Sequence, residues 1–414
     1  MKTRNMICCS LVIASFLSAC SMAEDIQTEN KKKQLEFFQS KTNVVEFFDE
    51  MIEEFESEYP DIEIKQVNVP GGMEVLKTRI AYGDMPDIFI TYPIEQDYVI
   101  RATKGYLLDL TNEDFINNID STIQNRYVID GKMYGVALSQ NAVGVIYNKD
   151  IFEELELEIP KTWDHFIETL KKIQAAGKQP LLMANKDLER ISVFNLSLVA
   201  NKFDSKYWET LNKHHLDLKE DQRWIEVSKK MLEFLDFAQG DSFSTEGDDL
   251  NQAFVNGDGV MSVIGVWEIP NLEKIDANFN YGIFPFPSTN DPERNKVLGG
   301  VDGGFAISAN TQYPEEAKKF LEFLVKKENA QKFSDYEGNI SAVQGVKMNN
   351  AEVSLLAEQI SQGKSVNWPN HYWVGGTAAE EDFRKISQQF FFERDIHAYL
   401  ERLERMFDTY RQIE

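Results

Sequence analysis

Leu35, Phe37 and Phe38 lie in an apolar run at residues 34–38 that predicts a short strand. Val44, Phe48, Met51 and Phe55 then recur at the spacing of one helical face, with Glu50, Glu53, Glu54 and Glu58 on the others. Asn43 with Glu46 three residues later predicts the helix start, and Tyr59-Pro60 its end, because proline disfavours helix in its predecessor. Ile62, Ile64, Val67 and Val69 predict a second strand, Pro70-Gly71-Gly72 a turn, residues 73–82 a second amphipathic helix stopped by Gly83, and residues 87–91 a third strand. Strands alternating with helices need crossover connections, so this order predicts a parallel sheet faced by helices. Ligands of such sheets sit beyond the carboxyl ends of the strands, which singles out Gln39, Ser40 and residues 92–95.

From residue 127 to 147 the pattern becomes extended, with Asp130-Gly131 as a hairpin signal. Residues 162–267 read mainly as helix: Trp163, Phe166, Leu170 and Ile173 mark one face, and Trp224, Val227, Met231 and Leu235 another. Extended segments return at 281–286 and 304–308. Pro314 opens a helix with Ala317, Phe320, Leu321 and Leu324 in one stripe, and residues 383–413 are again amphipathic. Sheet-forming and helix-rich segments therefore alternate more than once. Over 414 residues this predicts an α/β protein of two lobes that the chain enters, leaves and re-enters.

Charge narrows the partners. Lys plus Arg number 43 against 68 Asp plus Glu, a net charge of -25, so a nucleic-acid duplex would be repelled and nucleic acid is not an expected partner. The three cysteines are Cys8, Cys9 and Cys20, which leaves the later chain without disulfides, zinc-thiolate sites or a cysteine nucleophile. Lys2 and Arg4 precede an apolar run at 6–19, too short to span a bilayer comfortably but suited to a secretory signal. Its end, Leu17-Ser18-Ala19-Cys20, resembles the lipobox of bacterial lipoproteins. That resemblance implies a signal peptide at 1–19, lipidation of Cys20 with palmitate-type chains, and a polar tether at 20–33.

Catalytic signatures are missing. There is no Gly-x-Ser-x-Gly elbow and no His-Glu-x-x-His; Gly363-Lys364-Ser365 lacks the upstream glycine of a phosphate loop. Gly257-Asp258-Gly259 lacks the third glycine of a dinucleotide site, and no cofactor is expected. Of five histidines only His214 and His215 are neighbours, and adjacent side chains diverge, so no metal site is expected. Acidic pairs at Asp248-Asp249 and Asn290-Asp291 lack the alternating ligands of a calcium loop.

A series of segments is more specific: FESEYPDIEIKQVNVPGG (55–72), GDMPDIFI (83–90), DGKMYGVALSQNAVGVIYNKDIFEELELEIPKTWDHF (130–166), AFVNGDGVMSVIGVWEI (253–269), YGIFPFP (281–287) and GVDGGFAIS (300–308), then EEAKKFLEFL (315–324). In this order the chain resembles the bacterial extracellular solute-binding protein family 1, the sugar-binding lipoproteins of ABC importers. The resemblance implies a two-lobe fold like that of periplasmic binding proteins (type II), with a multi-strand hinge near residues 139–142, 281–285 and 334–342. The implied lobes are residues 34–140 plus 285–335 and residues 141–284 plus 336–414. It further implies a monomeric receptor, not an enzyme, held on the outer face of the cytoplasmic membrane, which closes on a carbohydrate and delivers it to permease subunits. The alternatives are a binding lipoprotein for a polyol or peptide, and a secreted glycan-active enzyme.

A sugar site needs aromatic faces for the C–H side of a pyranose and amides or carboxylates for its hydroxyls. Trp267 follows an apolar strand and Gly265, where the family often places a stacking Trp; packing inside a lobe is the other reading. Trp368 and Trp373 lie in a polar segment that corresponds to a cleft-lining region, with ordinary loop packing the other reading of each, whereas Trp163, Trp208 and Trp224 sit on amphipathic helices and read as core. Asn141 at the first hinge crossing is read as a ligand amide or a hinge hydrogen bond, and Asp302 with Gly303 and Gly304 as a cleft carboxylate or a plain turn. Gln39, Ser40, Asp87 and Glu95 complete the candidates. No arginine falls in these loops to clamp a phosphate, which favours a neutral sugar over a sugar phosphate.

Overall fold

The structure is a computed structural model and describes residues 32–69, 71–93 and 95–413; the expected signal, Cys20 and most of the tether lie outside the described residues. The first lobe opens with β1 (Lys33–Phe38), α1 (Val45–Glu58), β2 (Ile62–Val67), α2 (Gly72–Ala81), β3 (Ile88–Thr91) and α3 (Gln96–Thr103). β1 pairs in parallel with β2 and β3, as the alternation of strands and helices predicts. The strand Gly304–Ile307 adds antiparallel to β3 and carries Val136–Ala137 on its far side, giving a five-stranded sheet. Phe37 is the centre of its core, with Phe48, Phe305 and Phe320 around it at ring distances of 4.9–5.3 Å. Asp130 and Gly131, at φ of 50° and 77°, form the two-residue turn of a hairpin as expected.

One expectation at the start of α1 is corrected. Asn43 lies inside a 3-10 turn, Thr42–Val44, and the residue preceding α1 is Val44, which makes no side-chain cap. Thr42 and Asn43 instead line the space between the lobes.

The second lobe is built on the long strand Ser139–Asn148. It pairs antiparallel with Met261–Gly265, Tyr281–Pro285, Val297–Val301 and Ile340–Ser341. The strand Met261–Gly265 thus interrupts the mainly helical stretch of 162–267. Helices around it close a core in which Phe194 stacks on Phe234 at 4.0 Å and Trp163, Trp208 and Trp224 are buried, as their helical spacing predicts.

The chain passes between lobes at three places. The first lies at Leu138–Ser139, between the two sheets. The second is displaced from the expected boundary at 284/285: Phe286 packs in the second core and Val297–Val301 pairs with Ser139–Asn148, so the crossing falls at Asp302, just before Gly304–Ile307 joins the first sheet. A strand boundary was legible at 285; which sheet the next strand joins depends on long-range pairing. The third crossing runs through Asn339 to Val343, with Ile340–Ser341 on the second sheet and Ala342 and Val343 in the first core.

Candidate ligand cleft

Between the lobes lies a cavity of about 1030 Å³. The first lobe lines it with Ser40 and Lys41 after β1, Gly71 and Gly72 at the start of α2, and Tyr92 and Glu95 after β3, the carboxyl-end positions expected of a parallel sheet. Asn141, Asp302 and Asn339, one from each crossing, form its floor.

The floor is a charged network. The Lys41 ammonium makes ion pairs with both Asp302 and Glu337. Burial by itself would lower the Lys41 pKa, but the two carboxylates outweigh it and hold the group above its ordinary range. Burial pushes Glu337 up despite Lys41 beside it. Asp302 also accepts from Asn339 Nδ2 at 2.9 Å, and Ser139 Oγ and Asn141 Nδ2 reach it at 3.5 Å. One carboxylate therefore gathers side chains from all three crossings.

Above the floor, Trp267 and Trp368 stand with ring centres 6.2 Å apart and planes tilted by 41°. Gly265 permits this placement: a Cβ there would lie 2.1 Å from Cη2 of Trp267. Trp368 is fixed by its Nε1–H, which donates to Asn141 Oδ1 at 2.9 Å. Next to them Arg190, in the first turn of the helix Leu188–Ala200 capped by Asp187, holds Glu268 at 2.6 Å. Glu268 also accepts from Asn251 and Asn271.

Elsewhere along the cleft the lobes face each other. The Tyr92 ring lies 6.5 Å from that of His371. Burial, reinforced by Glu380 of the opposite lobe, pushes the Glu95 carboxyl up to about 8. Burial pushes His371 down to about 4, against the pull of Glu380 and Asp302. Arg384 pairs with Glu380 at 2.5 Å on the helix Gly376–Glu393.

Of the candidates read from sequence, Ser40, Glu95, Asn141, Trp267, Asp302 and Trp368 line the cleft. Five lie elsewhere. Gln39 is fully buried and donates to Gln66. Asp87 accepts from the Glu36 backbone N–H and from Thr311, bracing strand ends outside the cleft. Gly303 packs on Ile90 and Tyr92, and Gly304 on Val136 and Tyr127, where a side chain would not fit. Trp373 is 2 % exposed and packs against Trp208, Phe383 and Phe407, because the turn after Trp368 carries it into the second core. The candidate loops hold no arginine, but helices bring Arg190 and Arg384 to the cleft, which the loops alone do not reveal. Lys41, Glu268, Glu337 and His371 were also missed. Lys41 and His371 flank Ser40 and Trp368 closely enough for sequence proximity to have pointed to them.

A family model described as "Bacterial extracellular solute-binding protein" matches residues 40–331. The chain is similar to the "Multiple sugar-binding protein" of Streptococcus mutans, 28% identical over 403 residues, 95% of this chain and 94% of that protein. It is similar to the melibiose/raffinose/stachyose-binding protein MelE of Bacillus subtilis, 23% identical over 81% of this chain and 80% of that one. Among solved structures it superposes on the solute-binding protein RafE in complex with raffinose, with a TM-score of 0.81 and 28% identity over 91% of this chain and 99% of that one. The apo form of RafE from Streptococcus pneumoniae gives 0.78 and 29% over 92% and 98%.

Proposed function

Because the chain belongs to the bacterial extracellular solute-binding protein family, we propose that it is the receptor of an ABC importer that captures a neutral oligosaccharide by lobe closure and hands it to the permease. The observation that carries this reading is the Trp267–Trp368 corner in a polar cleft between two lobes joined at three crossings. Trp267, with the 8 % exposed Trp368 packed beside it at 6.2 Å and tilted by 41°, suits the C–H face of a sugar ring, and the surrounding amides and carboxylates suit the hydroxyls. The cavity, at about 1030 Å³, has room for several rings. Both cleft arginines are matched by a glutamate, Arg190 by Glu268 and Arg384 by Glu380, so neither offers an uncompensated charge to an anionic ligand. The binding of raffinose by RafE makes raffinose-type oligosaccharides the first ligands to try.

The family is extracytoplasmic, and no described helix is long and apolar enough to cross a membrane. Cys20 carries the lipid that holds a monomeric receptor to the outer face of the cytoplasmic membrane, a reading supported by Leu17-Ser18-Ala19-Cys20. Changing Cys20 to Ala then releases the protein from the membrane fraction.

A thermal-shift screen with raffinose, stachyose, maltotriose, monosaccharides, polyols, dipeptides and sugar phosphates tests the ligand class. A ligand at 100 times its Kd adds about 2.7 kcal/mol to the folded state, a shift of degrees in Tm. Saturable shifts confined to neutral oligosaccharides support the proposal; shifts confined to polyols or dipeptides replace it with the non-sugar alternative.

A further inference from the structure

A second cavity of about 20 Å³, which Arg190 also lines, lies between the segment 182–185, the helix Leu188–Ala200 and the strand Met261–Gly265. Its polar lining is Asn185, Arg190 and Ser262; the rest is apolar, with Phe194, Phe234 and Leu250 among it. Asn185 is 1 % exposed, and among the described residues neither atom of its carboxamide has a hydrogen-bond partner. Arg190 Nη1 is likewise buried without one. Ser262 Oγ donates to Leu182 O at 3.0 Å and keeps acceptor capacity.

Leaving these groups unmatched carries the full desolvation penalty of each, largest for the cation, and a native fold rarely tolerates that at neighbouring side chains. The space is right for one water. A single molecule needs roughly 10–15 Å³ of probe-occupied volume and two to four polar partners. Its oxygen can accept from Arg190 Nη1, while its protons go to Asn185 Oδ1 and to Ser262 Oγ.

We propose that this cavity holds one ordered water that ties Asn185 to Arg190, and that Asn185 is thereby a positioning residue for the cleft guanidinium. The second half rests on the carbohydrate reading of the cleft. Arg190 is held by Glu268 at 2.6 Å and more loosely by Asn251 at 3.5 Å. Gly247 passes so close that a Cβ would lie 3.3 Å from Nε and Nη2. With the water on Nη1 and Glu268 on Nη2, the guanidinium is held through both terminal nitrogens and meets a sugar hydroxyl in a fixed direction. Fixing a donor before binding spares the ligand the cost of ordering it.

Two measurements decide this. In a crystal structure of the protein at high enough resolution to place waters, the account expects one density peak within hydrogen-bonding distance of both the Asn185 carboxamide and Arg190 Nη1. A cavity without such a peak overturns the water. Calorimetric titration of raffinose and stachyose then compares wild type with Asn185→Leu, which occupies the space with an apolar group, and Asn185→Ser, which keeps polarity and makes room for a further water. The expected result is on the order of tenfold weaker binding for Asn185→Leu and near-parental binding for Asn185→Ser, with both keeping wild-type lobe closure by small-angle scattering. Parental affinity in Asn185→Leu overturns the positioning role. If Asn185→Leu does not fold, Asn185→Ala supplies the comparison, with the same weakening expected and parental affinity again overturning the role. A wild type that binds neither sugar counts against the carbohydrate reading, whereas the density peak judges the water independently.

Discussion

The indole N–H of Trp368 donates to the side-chain oxygen of Asn141 at 2.9 Å, joining the Trp that lines the second lobe's wall to the first hinge strand. Asn141 turns its amide toward Asp302 on the second crossing, 3.5 Å away. The Trp368 ring at the cleft wall and the carboxylate that gathers the hinge are therefore two hydrogen bonds apart. Trp368→Phe keeps an aromatic face but strands Asn141 Oδ1. We expect raffinose binding weakened by several-fold, with a loss of about 1 kcal/mol in stability. Calorimetry and a denaturant titration check the two effects separately.

Lys41 is the only cation in contact with Asp302 and Glu337 among the described residues. Lys41→Met leaves two carboxylates sharing a largely buried site, and removing one partner of such a group costs roughly 3–5 kcal/mol. The expected outcome is a large drop in urea midpoint at pH 7. Acidification relieves part of it, because protonating Glu337, whose carboxyl burial already pushes up, removes the repulsion. A midpoint equal to that of the parent contradicts the keystone role.

Gly265 is bare because Trp267 lies on it. In Gly265→Ala the new Cβ meets the indole at 2.1 Å, and the ring must leave its place. Binding of raffinose should fall at least tenfold, while the fold persists at reduced stability, because Trp267 only borders the second core. Fluorescence of the six tryptophans in the unliganded protein would report the displaced indole.

Glu95 and His371 predict how affinity depends on pH. Glu95 has its pKa at about 8 in the structure and returns toward the ordinary value of about 4.3 when the cleft opens, so closure takes up a proton between those limits and weakens as pH rises through them. His371 goes from about 6.5 in an open cleft to about 4, so closure releases a proton and weakens as pH falls below 6.5. Between roughly pH 4.5 and 6.5 the two trends oppose each other. From pH 6.5 to 8 only Glu95 acts, and Kd should rise on the order of tenfold. Glu95→Gln should abolish that limb; an affinity that stays constant from pH 6 to 9 in the parent contradicts the assignment.

Carboxylates outnumber the cations Lys41, Lys186, Arg190 and Arg384 along the cleft, with Glu74, Asp248, Glu268 and Glu381 among them. An oligosaccharide bearing a uronic acid or phosphate should bind at least tenfold more weakly than its neutral counterpart, and added salt should narrow the gap. Equal affinities at low salt would mean that the arginines are free to receive an anion.

Local pattern carried much of this architecture. The alternation of Leu35, Phe37 and Phe38 with the helical stripe of Val44, Phe48, Met51 and Phe55 is enough to order β1, α1 and the parallel sheet. Asp130-Gly131 specifies its hairpin by backbone conformation alone. The second crossing was misplaced at 285 because the partner of Val297–Val301 is a strand more than 150 residues earlier, a pairing that no local signal encodes. In the cleft the same divide holds. Residues at strand ends or beside glycine, such as Ser40, Trp267 and Asp302, were legible as loop chemistry. Arg190 and Arg384 were not, since an arginine on an amphipathic helix looks solvated until tertiary packing turns its face inward. Trp373 failed for the opposite reason: its polar, glycine-flanked surroundings resemble a ligand loop, but the turn at Pro369–Tyr372 points its ring into a cluster of other aromatics.

The central claim is that a neutral oligosaccharide is held against the Trp267–Trp368 corner between the lobes. Isothermal titration of raffinose and stachyose into the parent protein and into Trp267→Ala tests it most directly. The parent should bind at least one of these sugars saturably at one site, and a Trp267→Ala variant that retains the parental fold should bind at least about tenfold more weakly. No heat with either sugar, or an equal Kd in the variant, would contradict it.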